Sequence, residues 1–292
     1  MQIQDGRKGP NGGLLIVNAD DWGQDRDTTE RALECFNHGA ISSVSAMVFM
    51  QDSERAAARA KEQGIDAGLH LNMTTPFSAS KCSALLADHQ REVARFLLRH
   101  RYAQIVFHPR LVGSFEYVVR AQRDEFCRLY GAEPTRLDGH HHMHLCSNVV
   151  LGGLLPPGTI VRRNFSFRRR EKSWCNRLYR KLVDRMLARR HHLVDFFFSL
   201  QPLDRTDHVL KIVALAKEFT VEVDAHPINP KEHRFLTGGE IHRWIGDLPI
   251  ATRFVAPQRG HEGNRAWWKL SILASLAAAA DWLGPLAEFA CI

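Results

Sequence analysis

Short apolar runs alternate with segments of helical periodicity along most of this 292-residue chain. Residues 14–18 form a short continuous apolar run, and residues 43–49 and 65–71 are also predicted strands. Residues 28–38 and 53–63 between them are predicted helices. Continuous apolar runs are typical of strands buried on both faces. Because strand–helix–strand repeats join parallel strands through crossover helices, the pattern predicts an α/β fold around a parallel sheet.

The alternation continues through the second half of the chain. Further predicted elements are a helix over residues 115–130, a short strand over 135–138, a helix over 207–218 and a strand over 219–225. Ser114 and Asp52 are expected to cap the helices that follow them, and Gly131 to end the helix before it. A chain of this length is ordinary for a single (β/α) barrel.

Four of the predicted strands end in aspartate or histidine. The sequences at these ends are NADD at 18–21, HLN at 70–72, DGHHHMH at 138–144 and DAHP at 224–227. Taken singly, each has an ordinary explanation as a turn, a helix cap or a core histidine. The carboxyl ends of parallel strands meet at one edge, where the active sites of α/β proteins gather. The coincidence of all four therefore predicts a metal site.

Imidazole and carboxylate are the usual ligands of a catalytic divalent metal, which lowers the pKa of bound water and polarises a carbonyl group. Hydrolysis of an amide also needs a base for the water, a group that stabilises the oxyanion and an acid for the departing amine. Two adjacent aspartates after a strand point in different directions. One can therefore bind the metal while its neighbour acts as the base.

Four segments of the sequence resemble one known family. LLIVNADDWG, GLHLN, PTRLDGHHHMHL and VEVDAHP are similar, in order and approximate spacing, to the motifs of the YdjC-like carbohydrate deacetylases of the chitooligosaccharide and hopanoid-associated type. The resemblance implies a distorted (β/α) barrel of the glycoside hydrolase/deacetylase type. It also implies removal of acetyl groups from acetamido sugars with a divalent metal, which the family resemblance indicates is magnesium, although zinc suits the same ligands.

The resemblance carries over to individual positions. It implies Asp21, His70 and His140 as the metal ligands, Asp20 as the general base and His226 as the acid. The residues expected around them, as support for the ligands or as substrate contacts, are Asp138, His142, His144, Asn72 and Trp22. Trp22 stands where the family usually has phenylalanine.

Basic residues are concentrated in one segment that does not resemble the family. Residues 162–190 hold twelve Lys and Arg against two acidic residues, a local balance of +10, so the rest of the chain carries −3 of the net +7. No nucleic-acid signature accompanies this charge, and no nucleic-acid partner is expected. Residues 173–190 have helical spacing, and we expect their apolar side to pack on the barrel. An alternative is that the basic side attracts an anionic or lipid-linked substrate or a membrane surface.

We expect three parts in the chain: a loose leader at 1–13, a catalytic barrel at 14–265 with a basic helical insertion near 162–199, and a packed C-terminal helix at 266–292. No transmembrane segment or signal peptide is evident, so the expected location is the cytoplasm. A homodimer is left open. The alternatives to a deacetylase are a metal-dependent phosphoester hydrolase and a non-catalytic carbohydrate-binding barrel.

Overall fold

The structure is a computed structural model that describes residues 12–167 and 171–255. Its centre is a seven-stranded sheet in which all neighbouring strands are parallel. The strands are β1 (Leu14–Trp22), β2 (Ser43–Ala46), β3 (Ala67–Leu71), β4 (Arg136–Gly139), β5 (Ile160–Val161), β6 (Phe196–Ser199) and β7 (Thr220–Ala225). Their order across the sheet is β5-β4-β3-β2-β1-β7-β6. The sheet curls into a half-barrel, which confirms the predicted α/β barrel-like class.

Helices surround this sheet. In the described residues they are α1 (Arg26–Asn37), α2 (Ser53–Gln63), α3 (Ala84–Leu97), α4 (Val112–Tyr130), α5 (Ser147–Gly152), α6 (Trp174–Leu187), α7 (Thr206–Ala216), α8 (Pro230–Thr237) and α9 (Glu240–Ile245). Short 3-10 turns occur at Ala103–Ile105, Pro109–Leu111 and His140–Leu145. None of the helices in this described part is long and apolar enough to cross a membrane.

The central strand β1 is buried along its whole length. Its side chains alternate, as in any strand. Leu15 and Val17 pack in the main core with the helix layer, whereas Leu14 and Ile16 pack with Phe197 of β6 in a second cluster. Because the whole strand is buried, its polar residues Asn18, Asp20 and Asp21 also lie inside the molecule.

The two edge strands of the sheet, β5 and β6, are linked by the chain between them. The Val161 amide donates to the His192 carbonyl at 2.9 Å, and the Ser166 amide donates to the Phe197 carbonyl at 2.8 Å. Helix α6 lies in this connection, so the basic segment forms a strand–helix–strand unit between the sheet's two edges.

Several local predictions differ from the structure. Ser114 lies inside α4, which begins at Val112, and its hydroxyl bonds Glu92 instead of capping the helix. Asp52 occupies the N-cap position of α2, but its carboxylate pairs with Arg55. The predicted elements do not include strands β5 and β6 or helices α3, α5, α8 and α9. The proposed leader lies almost wholly outside the described residues, and the proposed C-terminal helix lies entirely outside them.

The apolar residues of α6 do not all pack on the barrel, contrary to expectation. Val183 and Leu187 are buried, as predicted. The other four, which follow one another at intervals of four, are exposed: Trp174, Leu178, Leu182 and Met186. The side of the helix that faces the protein carries the two buried apolar residues together with the polar Asn176, Arg180 and Asp184.

Candidate metal centre

Asp21, His70 and His140 converge at the carboxyl ends of their strands. Asp21 Oδ1 lies 2.8 Å from His140 Nδ1 and 3.3 Å from His70 Nε2. One potential ligand atom from each residue lies within 4.8 Å of the other two. Asp21 and His70 are buried, whereas His140 is half-buried. Three ligands with one side open are typical of a catalytic metal site.

The backbone around this cluster adopts unusual conformations. Four non-glycine residues in the described part of the chain have positive φ, and three of them belong here: Asp21 at 64°, His141 at 53° and His142 at 55°. A left-handed residue with a side chain costs roughly 1–2 kcal/mol, and such strain gathers at functional sites. The turn at Asp21 directs its carboxylate toward the two imidazoles.

A hydrogen-bond chain orients His70 from behind. Its Nδ1 donates to Asp138 Oδ1 at 2.8 Å, so Nε2 faces Asp21. Asp138 Oδ2 in turn accepts from Ser45 Oγ at 2.5 Å. A carboxylate behind an imidazole is the usual way to fix the tautomer and raise the basicity of a metal-binding histidine.

Negative charge dominates this cluster and favours a cation at its centre. Burial lowers the pKa of His70, but the charges of Asp138 and Asp20 outweigh it and raise the pKa to about 10. Burial likewise raises the pKa of Asp21, but its bonds to His140 and His70 hold it well below the usual value. The carboxylates around His70 thus favour a positive charge at the centre of the cluster. The donor set therefore fits a divalent cation.

Asp20 points the other way, into a buried ion-pair network around Arg162. Arg162 is only 1% exposed. It donates two hydrogen bonds to Asp20, from Nη1 to Oδ2 at 2.6 Å and from Nη2 to Oδ1 at 2.8 Å. The same guanidinium contacts Asp138 at 2.8 Å and Glu222 at 2.7 Å. Asn18 also donates to Asp20 Oδ1 at 2.8 Å. These bonds leave a lone pair on Asp20 Oδ2 for a further proton.

His226 stands beside the same group of carboxylates. It follows β7, is half-buried, and its backbone amide donates to Glu232 at 2.7 Å. Burial lowers the pKa of His226, but the charges of Asp20, Asp224 and Asp21 outweigh it and raise the pKa above the ordinary value. Burial and the charge of Asp20 raise the pKa of Asp224 to about 7.

The remaining predicted residues have different surroundings. His144 contacts the Arg162 carbonyl at 2.9 Å, and His142 Nε2 lies 3.9 Å from Asp224. Burial lowers the pKa of both imidazoles, to about 4 for His144, so both are neutral at pH 7. Asn72 closes a turn by accepting from the amides of residues 74 and 75. Trp22 is fully buried and donates to the Ala56 carbonyl at 3.2 Å.

Arg162 and Glu222 are the main site residues that the sequence reasoning missed. In the sequence, Arg162 is one of the twelve cations of the basic segment. Glu222 precedes Asp224 by two positions in the VEVDAHP motif, and this period places both on the same face of β7. The two-residue spacing from Asp224 is therefore a sequence feature that could have identified Glu222 as a site residue. No local sequence pattern identifies Arg162.

A cavity opens beside the histidine run. His142, Phe165 and Arg163 line it, together with Tyr179 and Arg180 from α6. Arg180 is buried, and burial lowers its pKa. It bonds Asn176 at 2.8 Å, but no carboxylate in the described residues forms an ion pair with it. The cavity therefore has a desolvated positive charge in its wall.

These features define a parallel α/β half-barrel with an Asp–His–His centre at the carboxyl edge of its sheet. The family model described as YdjC-like protein matches residues 14–245. The chain belongs to this family, which confirms the resemblance seen in the motifs.

Curated relatives match part of the chain. It is 32% identical over 133 residues to a chitooligosaccharide deacetylase of Serratia marcescens, covering 45% of this chain and 51% of the relative. It is 30% identical over 138 residues to that of Proteus mirabilis, covering 47% and 52%. The chain thus spans about half the length of the curated relatives it matches.

A solved structure matches more of the chain. A protein from Enterococcus faecalis V583, described as a putative cellobiose-phosphate cleavage protein, superposes with a TM-score of 0.58 at 18% identity. The match covers 82% of this chain and 95% of that one. At this identity the likeness concerns the fold alone.

Proposed function

We propose that this protein hydrolyses the N-acetyl group of an amino sugar or oligosaccharide in a metal-dependent reaction that releases acetate. The observation that carries the proposal is the convergence of Asp21, His70 and His140, with Asp20 and His226 beside them. Membership of the YdjC-like family and the partial matches to chitooligosaccharide deacetylases support it.

Asp21, His70 and His140 would hold the metal ion. Bound there, a divalent cation would lower the pKa of a water molecule and polarise the acetamide carbonyl. The family resemblance indicates magnesium, whereas two imidazoles and one carboxylate also suit zinc. We propose magnesium as the native ion and retain zinc as the alternative.

Asp20 and His226 would move the protons. Asp20 accepts a proton from the water whose oxygen attacks the carbonyl carbon, and the bidentate contact with Arg162 fixes its carboxylate for this role. His226 donates a proton to the amide nitrogen as the carbon–nitrogen bond breaks. Its raised pKa keeps it protonated beyond the usual range of histidine, as this role requires.

The test is release of acetate from N-acetylated oligosaccharides of glucosamine by protein stripped with a chelator and reloaded with magnesium or zinc. Phosphate release from phosphorylated sugars is measured in parallel. Metal-dependent acetate release is expected. Phosphate release instead would identify a phosphoester hydrolase, and binding without turnover would identify a carbohydrate-binding barrel. The variant Asp21→Asn serves as the control for the metal.

We further propose that the sugar is anionic or lipid-linked. The +10 balance of residues 162–190 and the buried Arg180 in the cavity wall support this. The neighbouring Arg168, Arg169 and Arg170 lie outside the described residues. The cytoplasmic location and a homodimer stay predictions.

A further inference from the structure

Helix α6 carries two parallel rows of side chains on its outer surface. The apolar row consists of Trp174 (61% exposed), Leu178 (40%), Leu182 (51%) and Met186 (37%). A basic row follows it three positions later along the chain: Arg177, Lys181, Arg185 and, just beyond the helix end, Arg189. Residues three and four apart are neighbours on a helix surface, so the two rows lie side by side. We call these eight residues the α6 outer face.

The orientation of α6 is fixed by its inner side. Val183 and Leu187 pack into the core. Asp184 accepts from the Asn164 amide at 2.9 Å and pairs with Arg163 at 3.0 Å. The helix therefore cannot turn its exposed apolar row inward without breaking buried polar bonds, each of which is costly to leave unmade.

A second group of exposed apolar residues belongs to the segment between α3 and α4. Leu98, Val106 and Phe107 are exposed there, and Ile105 of the same segment lines the cavity together with Tyr179 of α6. This segment and α6 thus both expose apolar side chains. The four exposed apolar residues of α6 lie one turn apart, and a contiguous exposed apolar patch marks an interaction site.

We propose that the α6 outer face binds the surface of an anionic lipid bilayer. Apolar residues on one row and cations on the next are the pattern of helices that lie at a membrane interface, and the terminal Trp174 suits the headgroup region. None of the four basic side chains forms an ion pair with a carboxylate in the part of the chain that the structure describes. They are thus available to lipid phosphates.

Charge complementarity favours lipid over other occupants. A second copy of the same face would bring two basic rows together and repel itself. The apolar sequence at 266–292 holds one lysine and two acidic residues, too little negative charge to match four cations. An anionic bilayer offers both apolar depth and a dense negative surface.

The test uses the full chain and vesicles of phosphatidylcholine, alone or mixed with phosphatidylglycerol. Co-sedimentation compares the wild type with the variants R177Q/K181Q/R185Q and L178Q/L182Q. Matched controls remove the same groups elsewhere: R59Q/K61Q/R91Q for charge, and L85Q/L210Q for exposed apolar residues. All replaced side chains are exposed or half-buried at the surface, and circular dichroism checks that each variant is folded.

We expect binding to the phosphatidylglycerol vesicles that weakens as salt rises. Loss of three cations near the surface should lower the partition coefficient on the order of 100-fold. The variant L178Q/L182Q should also bind more weakly than the wild type. Both control variants should bind like the wild type. Absence of wild-type binding, or equal binding by the α6 variants, would overturn the proposal.

A fluorophore on Cys175, which is exposed at the start of α6, separates the other occupants. The emission of this fluorophore should shift only when phosphatidylglycerol vesicles are added. The variant Cys175→Ser is labelled in parallel, so that emission from fluorophore on the other cysteines can be subtracted. A label already shielded in vesicle-free protein would mean that a second copy or the 256–292 segment covers the face. That result would also overturn the proposal.

Discussion

Replacing Arg162 with methionine tests the ion-pair network that supports the candidate site. Methionine keeps most of the side-chain length but removes the charge and the donors that satisfy Asp20, Asp138 and Glu222. Removing one partner of a buried ion pair leaves an uncompensated charge, which typically costs about 3–5 kcal/mol. Since one cation serves three carboxylates here, we expect a loss of free energy of unfolding at the upper end of that range.

The loss should depend on pH in a defined direction. Burial raises the pKa of Asp138, but the charges of Arg162 and His70 outweigh it and hold it below the ordinary value. In the wild type this carboxylate therefore stabilises the fold above its unfolded pKa, and the contribution is lost as pH falls through the folded pKa. Without Arg162 the folded pKa values of the carboxylates rise. The difference in free energy of unfolding between the wild type and Arg162→Met should then be largest near pH 8. It should become smaller toward pH 5, because the carboxylates of the variant take up protons.

Urea denaturation of metal-free protein, followed by circular dichroism at several pH values, measures both effects. Arg180→Met is the matched control because Arg180 is a buried arginine without an ion pair to a described carboxylate. We expect it to cost only about 1–2 kcal/mol, the value of its hydrogen bonds. The double variant Arg162→Met/Glu222→Gln should recover part of the loss. A pH-independent deficit no larger than that of Arg180→Met would refute the network argument.

Further predictions concern activity. Asp20→Asn should retain the metal, measured by elemental analysis, but its kcat should fall by a factor on the order of 10²–10⁴. A near-native kcat would exclude Asp20 as the base. His226→Ala should remove the alkaline limb of the pH–rate profile, because wild-type activity is expected to fall as pH rises through the raised pKa of His226. An unchanged limb would assign the acid elsewhere. Replacing Arg168, Arg169 and Arg170 together by glutamine should raise KM for an anionic acetamido sugar at low salt and leave kcat nearly unchanged. An unchanged KM there would count against recruitment by this segment without touching the metal-site argument.

The parts of the fold that could be predicted are those with a local signal. Strand β1 has the continuous apolar run that predicts it, and Gly131 ends α4 as expected, in the left-handed conformation. The close approach of Asp21 and His70 follows from one further rule, that parallel strands end at a common edge. Periodicity and topology together suffice for such residues.

Arg162 could not be found this way because its environment is made by distant segments. It lies 142 positions from Asp20 and next to a strand of two residues, too short to recognise. The charge pattern assigns it to a basic stretch, although it is the most buried cation among the described residues of that segment. The exposure of Leu178 and Leu182 has the same origin. Helical spacing shows that a helix has an apolar side, but only the surrounding fold decides which side faces inward.

The adjacent Asp20 and Asp21 show how the fold separates two identical side chains. Strand alternation carries Asp20 to the interior with Ile16 and Asn18, where Arg162 neutralises it with a cation of the protein. Asp21, next along the chain, would point to the opposite face in a regular strand. Its left-handed φ of 64° turns it instead toward two imidazoles, where no arginine or lysine in the described residues pairs with it. The Asp20 carboxylate is thus paired with Arg162, whereas the Asp21 carboxylate is available to a metal ion. The proposed reaction needs these two roles, a base and a metal ligand.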